Sequence, residues 1–517
     1  MADNLASFKV FCQGGLNTSR DVLSQGETAP GSAIKLTNYE PSVTGGYRKI
    51  NGFSNDFGTV TGTGSVLGVC VANGINDGIL ACRTPSSGNN YLHKWNNSTS
   101  AWDAITTSGS PTMSGVTKVR FTRYNFGSPK VVLTDGVNPA ATYDGSTYTQ
   151  ITHSDAPTDP KFSAIFQNHL FLAGDPAHPT KLFFSAPLAE TDFTAGNGAG
   201  VINVGFPIVA IKVFRNELFI FGTTNIKKLS GTALANFVLQ TVTDDLGCLA
   251  TDSVIEIGGD LLFLSQDGLR PISGTDKIGD VNLETVSKNI QSIFTDVVFD
   301  IDLEGLNAVV IRQKTQFRYF FGAADSQGII GGFRETPNGL KFEYSQILGI
   351  TATCADSGYI GQNEFVLHGD STGKVYRQER GNNFGGSDIF SAFQTPYLYM
   401  QDPEQRKIFY TIATYLRSEG DNEILMSAVY DYEDVNVLNP NDFTVSNENA
   451  AAYYNEAAYA AADATSGSVY DGSPAPIRRT NVSGSGKSIS IRYVTNDTKP
   501  SHSIQGLVIT FGVGDRL

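Results

Sequence analysis

The stretch Ile208 to Gly231, IVAIKVFRNELFIFGTTNIKKLSG, decides how the rest of the chain is read. Val209, Ile211 and Val213 alternate with smaller or polar neighbours. Leu218 to Phe221 then form a short apolar run closed by Gly222, and Ile226 and Leu229 open a further strand before Gly231. Alternation with a period of two, in short runs bounded by glycine, predicts three antiparallel strands joined by tight turns.

The same outline recurs along the chain. Phe166-Gln167-Asn168-His169-Leu170-Phe171-Leu172-Ala173-Gly174 repeats Phe214 to Gly222 at a distance of 48 residues, and Gly259 to Ser265 takes the place of Asn216 to Gly222 at a distance of 43. Weaker copies lie at Lys130 to Gly136 with Ala141 to Gly145, at Phe317 to Gly322, and at Glu364 to Gly369 with Lys374 to Tyr376. A period in the forties made of strands and turns is the mark of propeller blades, because a lone four-stranded blade cannot bury both faces and must stack on neighbours in a ring. A long β-sandwich with regular meanders is the other all-β arrangement this pattern allows. The expected fold is all-β: a β-propeller of six or seven blades over residues 61–385, an N-terminal arm over 1–60, and a small sandwich-like β-domain over 386–517. The glycines of Gly381 to Gly386 mark the second boundary.

Within this frame, strands are expected near Val66 to Val71, Ile79 to Cys82, Tyr91 to Trp95 and Val116 to Phe121, with Trp95 and Trp102 bracketing a hairpin loop. One helix is expected at Leu283 to Phe294, where Val286, Ile290 and Ile293 share a face. The arm, rich in Gly and Asn, reads as an ordered segment laid over another surface. Strands are expected at Lys407 to Leu416, Glu423 to Tyr432, Lys487 to Val494 and Ser503 to Val513. Asn447 to Ala464 has the composition of a short surface helix or of a low-complexity loop.

Composition agrees with many short strands. The 517 residues include 54 Gly, 32 Phe and 21 Tyr, and only 17% are charged. The formal charge is −14, and no basic cluster offers the footprint of a protein that grips phosphate backbones. Five widely spaced cysteines (Cys12, Cys70, Cys82, Cys248, Cys354), without a C-x-x-C pair, argue against a disulfide framework or a zinc site and for small buried apolar residues. No secretory leader or run of eighteen apolar residues is present in this sequence, so synthesis in the cytoplasm is expected.

No catalytic, cofactor-binding or metal-binding residue emerges. His93, His153, His169, His178, His368 and His502 never pair at ligand spacing and read as scattered surface or turn residues. Gly369 to Lys374 and Gly486-Lys487-Ser488 graze the phosphate-loop pattern, yet the first has His368 for the leading glycine and Val375 for the Ser or Thr, the second has Asn481 for the first glycine and a strand where the helix belongs, and both are expected to be hairpin turns. The acidic pairs Asp244 with Asp245, Asp300 with Asp302, and Asp402 with Glu404 are the glycosidase candidates, and turn aspartates explain them more simply. The expectation is a chain that is not an enzyme and needs no cofactor.

Several stretches carry a resemblance. Gly14-Gly15-Leu16-Asn17, Asn38-Tyr39-Glu40 and Gly45 to Phe53 resemble the start of the tail nozzle proteins, or packaged-DNA stabilisation proteins, of short-tailed bacteriophages. Gln394 to Tyr397, Asp402 to Lys407, Tyr430-Asp431-Tyr432 and Gly514-Asp515-Arg516 are similar to that family's C-terminal domain. The resemblance implies a virion structural protein, a homo-hexamer beneath the portal and adaptor proteins and beside tail fibres or spikes. It would form the distal conduit that retains and then releases the genome, with DNA passing unbound and with contact to the host surface. The alternatives are a propeller glycosidase or depolymerase and a carbohydrate-binding adhesive tail protein.

Overall fold

Three hairpins of the chain turn on the same pair of left-handed residues. In a computed structural model, which describes residues 5–42, 45–88, 91–108, 111, 113–275, 285–300, 303–322, 326–336, 339–400, 402–446 and 477–513, φ is positive at Gln167 and Asn168, at Arg215 and Asn216, and at Gly258 and Gly259. Two consecutive positive φ values define the hairpin turn whose twist matches that of its flanking strands, and Asn and Gly accept it most readily. These pairs occupy equivalent places in the three aligned copies. Accordingly Phe166 faces His169, Phe214 faces Glu217, and Ile257 faces Asp260 across their hairpins. Each weaker copy likewise marks the second strand of its unit: Pro129–Thr134, Gln316–Phe320 and Asn363–Gly369.

Six blade sheets form a β-propeller. The first spans Thr63 to Ala104 and holds the Trp95–Trp102 pair, opposed across its last hairpin with ring centroids 5.5 Å apart. The channel-side strand is Arg120–Asn125 in the second, Phe162–Phe166 in the third, Ala210–Phe214 in the fourth, Ile255–Ile257 in the fifth and Cys354–Ile360 in the sixth. Between the fifth and sixth, Asn307–Ile311 completes the wall; it is the edge strand of a nine-stranded sheet. The strand expected at Val116 to Phe121 starts later, at Arg120, because Val119 already pairs with Leu67 of the first blade.

Apolar side chains fill the spaces between blades rather than one central core. Phe214, Phe219 and Phe221 of the fourth blade pack on Leu261 and Phe263 of the fifth, with Phe221 and Phe263 centroids 5.3 Å apart. Both Phe219 and Phe263 are fully buried. Phe219→Ala and Phe263→Ala are each expected to destabilise the chain by roughly 3 to 5 kcal/mol, since the transfer loss is joined by a cavity that a stacked interface cannot close. Thermal melting checks this, and an unchanged transition in both variants would remove the repeat alignment.

The nine-stranded sheet does not stop at the propeller. From Asn307–Ile311 it runs through Gly339–Leu348 to Lys35–Thr37, Ile389–Gln394, Ile489–Asp497, Glu423–Tyr430 and Phe443–Ser446. A seven-stranded sheet centred on Lys407–Ser418 and His502–Val513 faces it, and Ile412, Leu416, Ile504 and Ile509 meet Met426, Ile491 and Tyr493 in the sandwich core. In hydrogen-bonding terms the propeller and the segment after residue 386 are therefore continuous.

The arm is not laid over a surface but woven into sheets. Leu5–Phe11 pairs antiparallel with His502–Val513, from Leu5 opposite Gly512 to Phe11 opposite Gly506. Lys35–Thr37 joins two strands of the larger sheet, and Phe53–Ser54 adds the outer strand of the sixth blade beside Arg377–Gln378. The glycines around residue 383 act as a socket for this strand, since Gly52 and Phe53 donate to the Gly381 and Asn383 carbonyls. The helix expected at Leu283 to Phe294 begins later, with a single 3-10 turn at Lys288–Ile290 and an α-helix over Gln291–Asp300; Val286, Ile290 and Ile293 do face the core. Asn447 to Ala464 and Gly514 to Arg516 lie outside the described residues.

Candidate functional site

The first strands of the blades converge on a central cavity of about 500 Å³. This channel collects charges from four blades and the adjoining sheet. Asp252 anchors one end. Arg120 grips it with two hydrogen bonds of 2.9 and 2.8 Å, Lys118 approaches to 2.7 Å, and the Lys118 ammonium also donates to the Glu304 and Leu306 carbonyls. Burial alone would raise the Asp252 carboxyl, but the two cations outweigh it and hold it down at about 2.

At the other end Asp356 bridges blades. Its carboxylate accepts from Arg123 Nη2 at 3.0 Å and from the Val71 amide at 2.8 Å, while Arg123 Nη1 donates to the Val71 carbonyl. That carboxylate is the leading reason the Arg123 guanidinium is held still more firmly charged. Arg312, just past Asn307–Ile311, donates to Ser357 Oγ at 3.0 Å and lies 3.7 Å from the Glu364 carboxylate, which itself accepts the Arg312 and Gln313 amides. Between these groups stands Lys212, in the middle of Ala210–Phe214. Its side chain is exposed to the channel, and the protein crowded around it, followed by repulsion from Arg123, lowers its ammonium pKa. Glu256 projects from the neighbouring fifth blade and is solvent-exposed.

None of the acidic pairs expected from sequence lines this channel. Asp244 accepts from Asn225 Nδ2 in an exposed turn beside Asp245. Asp402 caps the Glu404 amide at 2.9 Å in another turn, and Asp300 ends its helix with Asp302 outside the described residues. Gly369 to Lys374 is a hairpin turn, as expected, whereas Gly486-Lys487-Ser488 is a bend between strands of two different sheets and not a hairpin. Asp370 Oδ1 accepts the Thr372 and Lys374 amides, and Asp431 Oδ1 accepts those of Lys487 and Ser488. The histidine reading needs correction: His93, His169, His368 and His502 are buried, not surface residues. Among the described residues, no group of three His, Cys, Asp or Glu side chains is arranged to hold a metal. All five cysteines are buried and unpaired.

A second charged cluster joins the arm to the propeller and the sandwich. Glu40, buried at 2% exposure, accepts from Arg48 at 3.1 Å, Lys314 at 2.6 Å and Gln316 at 3.1 Å. Arg318, 1% exposed, lies 3.6 Å from Glu40, pairs with Glu379 and donates to Gln378. Arg48 also forks onto Glu419 with two contacts of 2.5 Å. Sequence reading missed both clusters, though a charge inside an apolar first strand, such as Lys212, was a usable signal.

No family model matches the chain, and no curated protein matches it. A solved structure described as an ancestral GH74 enzyme is similar at 10% identity and a TM-score of 0.38, covering 72% of this chain and 53% of that one. This chain thus corresponds to about half the length of that protein. The expectation that the chain is not an enzyme is corrected by this finding, because the similar structure belongs to an enzyme. At so low a TM-score the likeness transfers no activity, substrate or residue role.

Proposed function

We propose that the chain is a component of the distal tail of a short-tailed bacteriophage, a nozzle that retains the packaged genome and later releases it. The observation that supports this reading is that the two ends of the chain that carry the resemblance are built into one sandwich: Tyr47 and Arg48 pair with Ile504 and Ser503, and the Tyr47 ring lies 5.1 Å from that of Phe393, next to Gln394. Gly15 donates its amide to the Tyr47 hydroxyl, which donates to the Gly31 carbonyl, while the Asn38 side chain clamps the Leu348 and Phe390 carbonyls and the Leu348 amide. Gly26 and Tyr397 lie in backbone contact, and the Tyr397 and Tyr432 rings sit 4.2 Å apart. Together they build one platform on the propeller, the kind of rigid body a ring of copies requires.

In this reading the conduit lies between copies of a homo-hexamer, because a cavity of about 500 Å³ within one chain cannot admit duplex DNA. A surface of net negative charge lets DNA slide, since phosphates facing carboxylates release no counterions. The portal-side adaptor, the tail fibres or spikes and the host surface would be its neighbours in the virion. The isolated chain is expected to show no salt-sensitive binding to duplex DNA, while particles lacking it package their genome and then leak it. Gel shifts at low salt and genome-retention assays measure both. Tight DNA binding, or full retention without the chain, would sink the conduit. A glycan-directed propeller is the second reading, favoured by the exposed Glu256 carboxylate in the channel. Turnover of surface polysaccharide that disappears in Glu256→Gln would put it first.

A further inference from the structure

Five cations and three carboxylates line the propeller channel, so it is net positive within a chain whose formal charge is −14. The carboxylates are unevenly used. Asp252 is taken by Lys118 and Arg120, and Asp356 by Arg123 and the Val71 amide. Arg312 has Ser357 and Glu364. Lys212 has no hydrogen-bond or ion-pair partner among the described residues, and its charged neighbours are the Arg123 and Arg312 guanidinium groups and the Asp356 and Glu256 carboxylates, of which Asp356 is already held by Arg123. Lys212 is solvent-exposed in the channel, and an ammonium without a protein acceptor there is open to a charge-assisted contact with an anion.

We propose that the channel is a binding site for a small oxyanion, a phosphate or carboxylate group, held by the Lys212 ammonium and flanked by the Arg123 and Arg312 guanidinium groups. The ammonium offers three donors to such a group, and the flanking guanidinium groups add charge from two neighbouring walls. A cavity of about 500 Å³ has the size of a small-ligand site and takes a phosphate ion or an acidic monosaccharide. Glu256, the carboxylate without a cationic contact, is the built-in competitor for Lys212; the coulombic attraction between the two already opposes the lowering of the Lys212 pKa. The site lies inside one chain and does not depend on the conduit reading.

Titration calorimetry on the full chain at low ionic strength tests this with inorganic phosphate, glucuronate and glucose as probes. Saturable binding of phosphate or of glucuronate, but not of glucose, is expected, and the tighter of the two identifies the source of the oxyanion. Lys212→Met should weaken that binding at least about tenfold, the loss of one charge-assisted contact. Glu256→Gln should tighten it several-fold by removing the competitor. Absence of binding by both anions, or an unchanged affinity in Lys212→Met, overturns the proposal. Should Lys212→Met fail to fold, Glu256→Gln decides alone, and an unchanged or weakened affinity there overturns it equally.

Discussion

The Arg318→Met chain is expected to lose on the order of 5 kcal/mol of stability or more, the largest loss from any single substitution considered for this protein. Arg318 is almost fully enclosed and answers two carboxylates, Glu40 and Glu379. Methionine replaces its volume but strands both. A buried charge deprived of its partner costs about 3 to 5 kcal/mol, and the remaining cations, Lys314 and Arg48, recover only part of two such penalties. Burial works against the charge on Glu379, yet Lys314 and then Arg318 overcome it and hold the carboxyl low. Urea unfolding gives the comparison. A shift no larger than that of a surface substitution such as Lys181→Met would show that the cluster carries no stability. Glu40→Gln should cost less, because it removes a charge instead of orphaning two.

Acid is expected to unfold the chain from well above the carboxylate range. His368 and His502 are each held at about 3, first by burial, with Arg318 near His368 and Lys49 and Arg48 near His502 adding repulsion. His368 is enclosed by Phe53, Phe320 and Tyr376, and His502 meets the Tyr39 hydroxyl at 2.9 Å. The folded values lie below the unfolded one of about 6.5, so below that pH the unfolded chain takes up protons that the folded chain refuses. Stability is complete above pH ~6.5 and falls as pH drops toward 3, by about 1.4 kcal/mol per pH unit for each ring, or roughly 5 kcal/mol each across the window. The depressed carboxyls of Asp252 and Glu379 add loss of the same sign further down. Urea midpoints at pH 7, 6 and 5 measure the slope. A midpoint independent of pH over that range would contradict neutral burial of the two rings, and His368→Gln should remove about one proton from the slope.

The propeller was legible because its signal is local. Asn168, Asn216 and Gly259 each sit at the left-handed corner of a hairpin, and the apolar run after each is the strand that packs on both neighbouring blades. The Asp370 turn was legible for the same reason, since its partners Thr372 and Lys374 lie within one turn, whereas Asp431 reaches 56 residues along the chain to Lys487. What stayed hidden depends on partners far along the chain. Glu40 and Arg318 are mostly separated by the propeller itself, and no period ties one to the other. Nothing near His502 announces that Tyr39 closes over it. The arm misled because its glycines resemble a loose path, whereas Gly15, Gly46 and Gly52 lie where backbones approach too closely for a Cβ. The channel charges escaped notice because the first strand of a blade was read for its apolar half.

The strand order also fixes a timetable for synthesis. Leu5–Phe11 emerges from the ribosome long before its partner, His502–Val513, and Phe53–Ser54 waits for Arg377–Gln378 before the sixth blade is complete. Pairings this distant are slow to form and leave unpaired edges open in the interval. Blades in the middle of the chain can stack as they appear, but these two pairings close only after Arg377–Gln378 and His502–Val513 have been made. A product that stops before Arg377 leaves Phe53–Ser54 and Leu5–Phe11 without their partners, so the sandwich surface requires a chain that extends through His502–Val513.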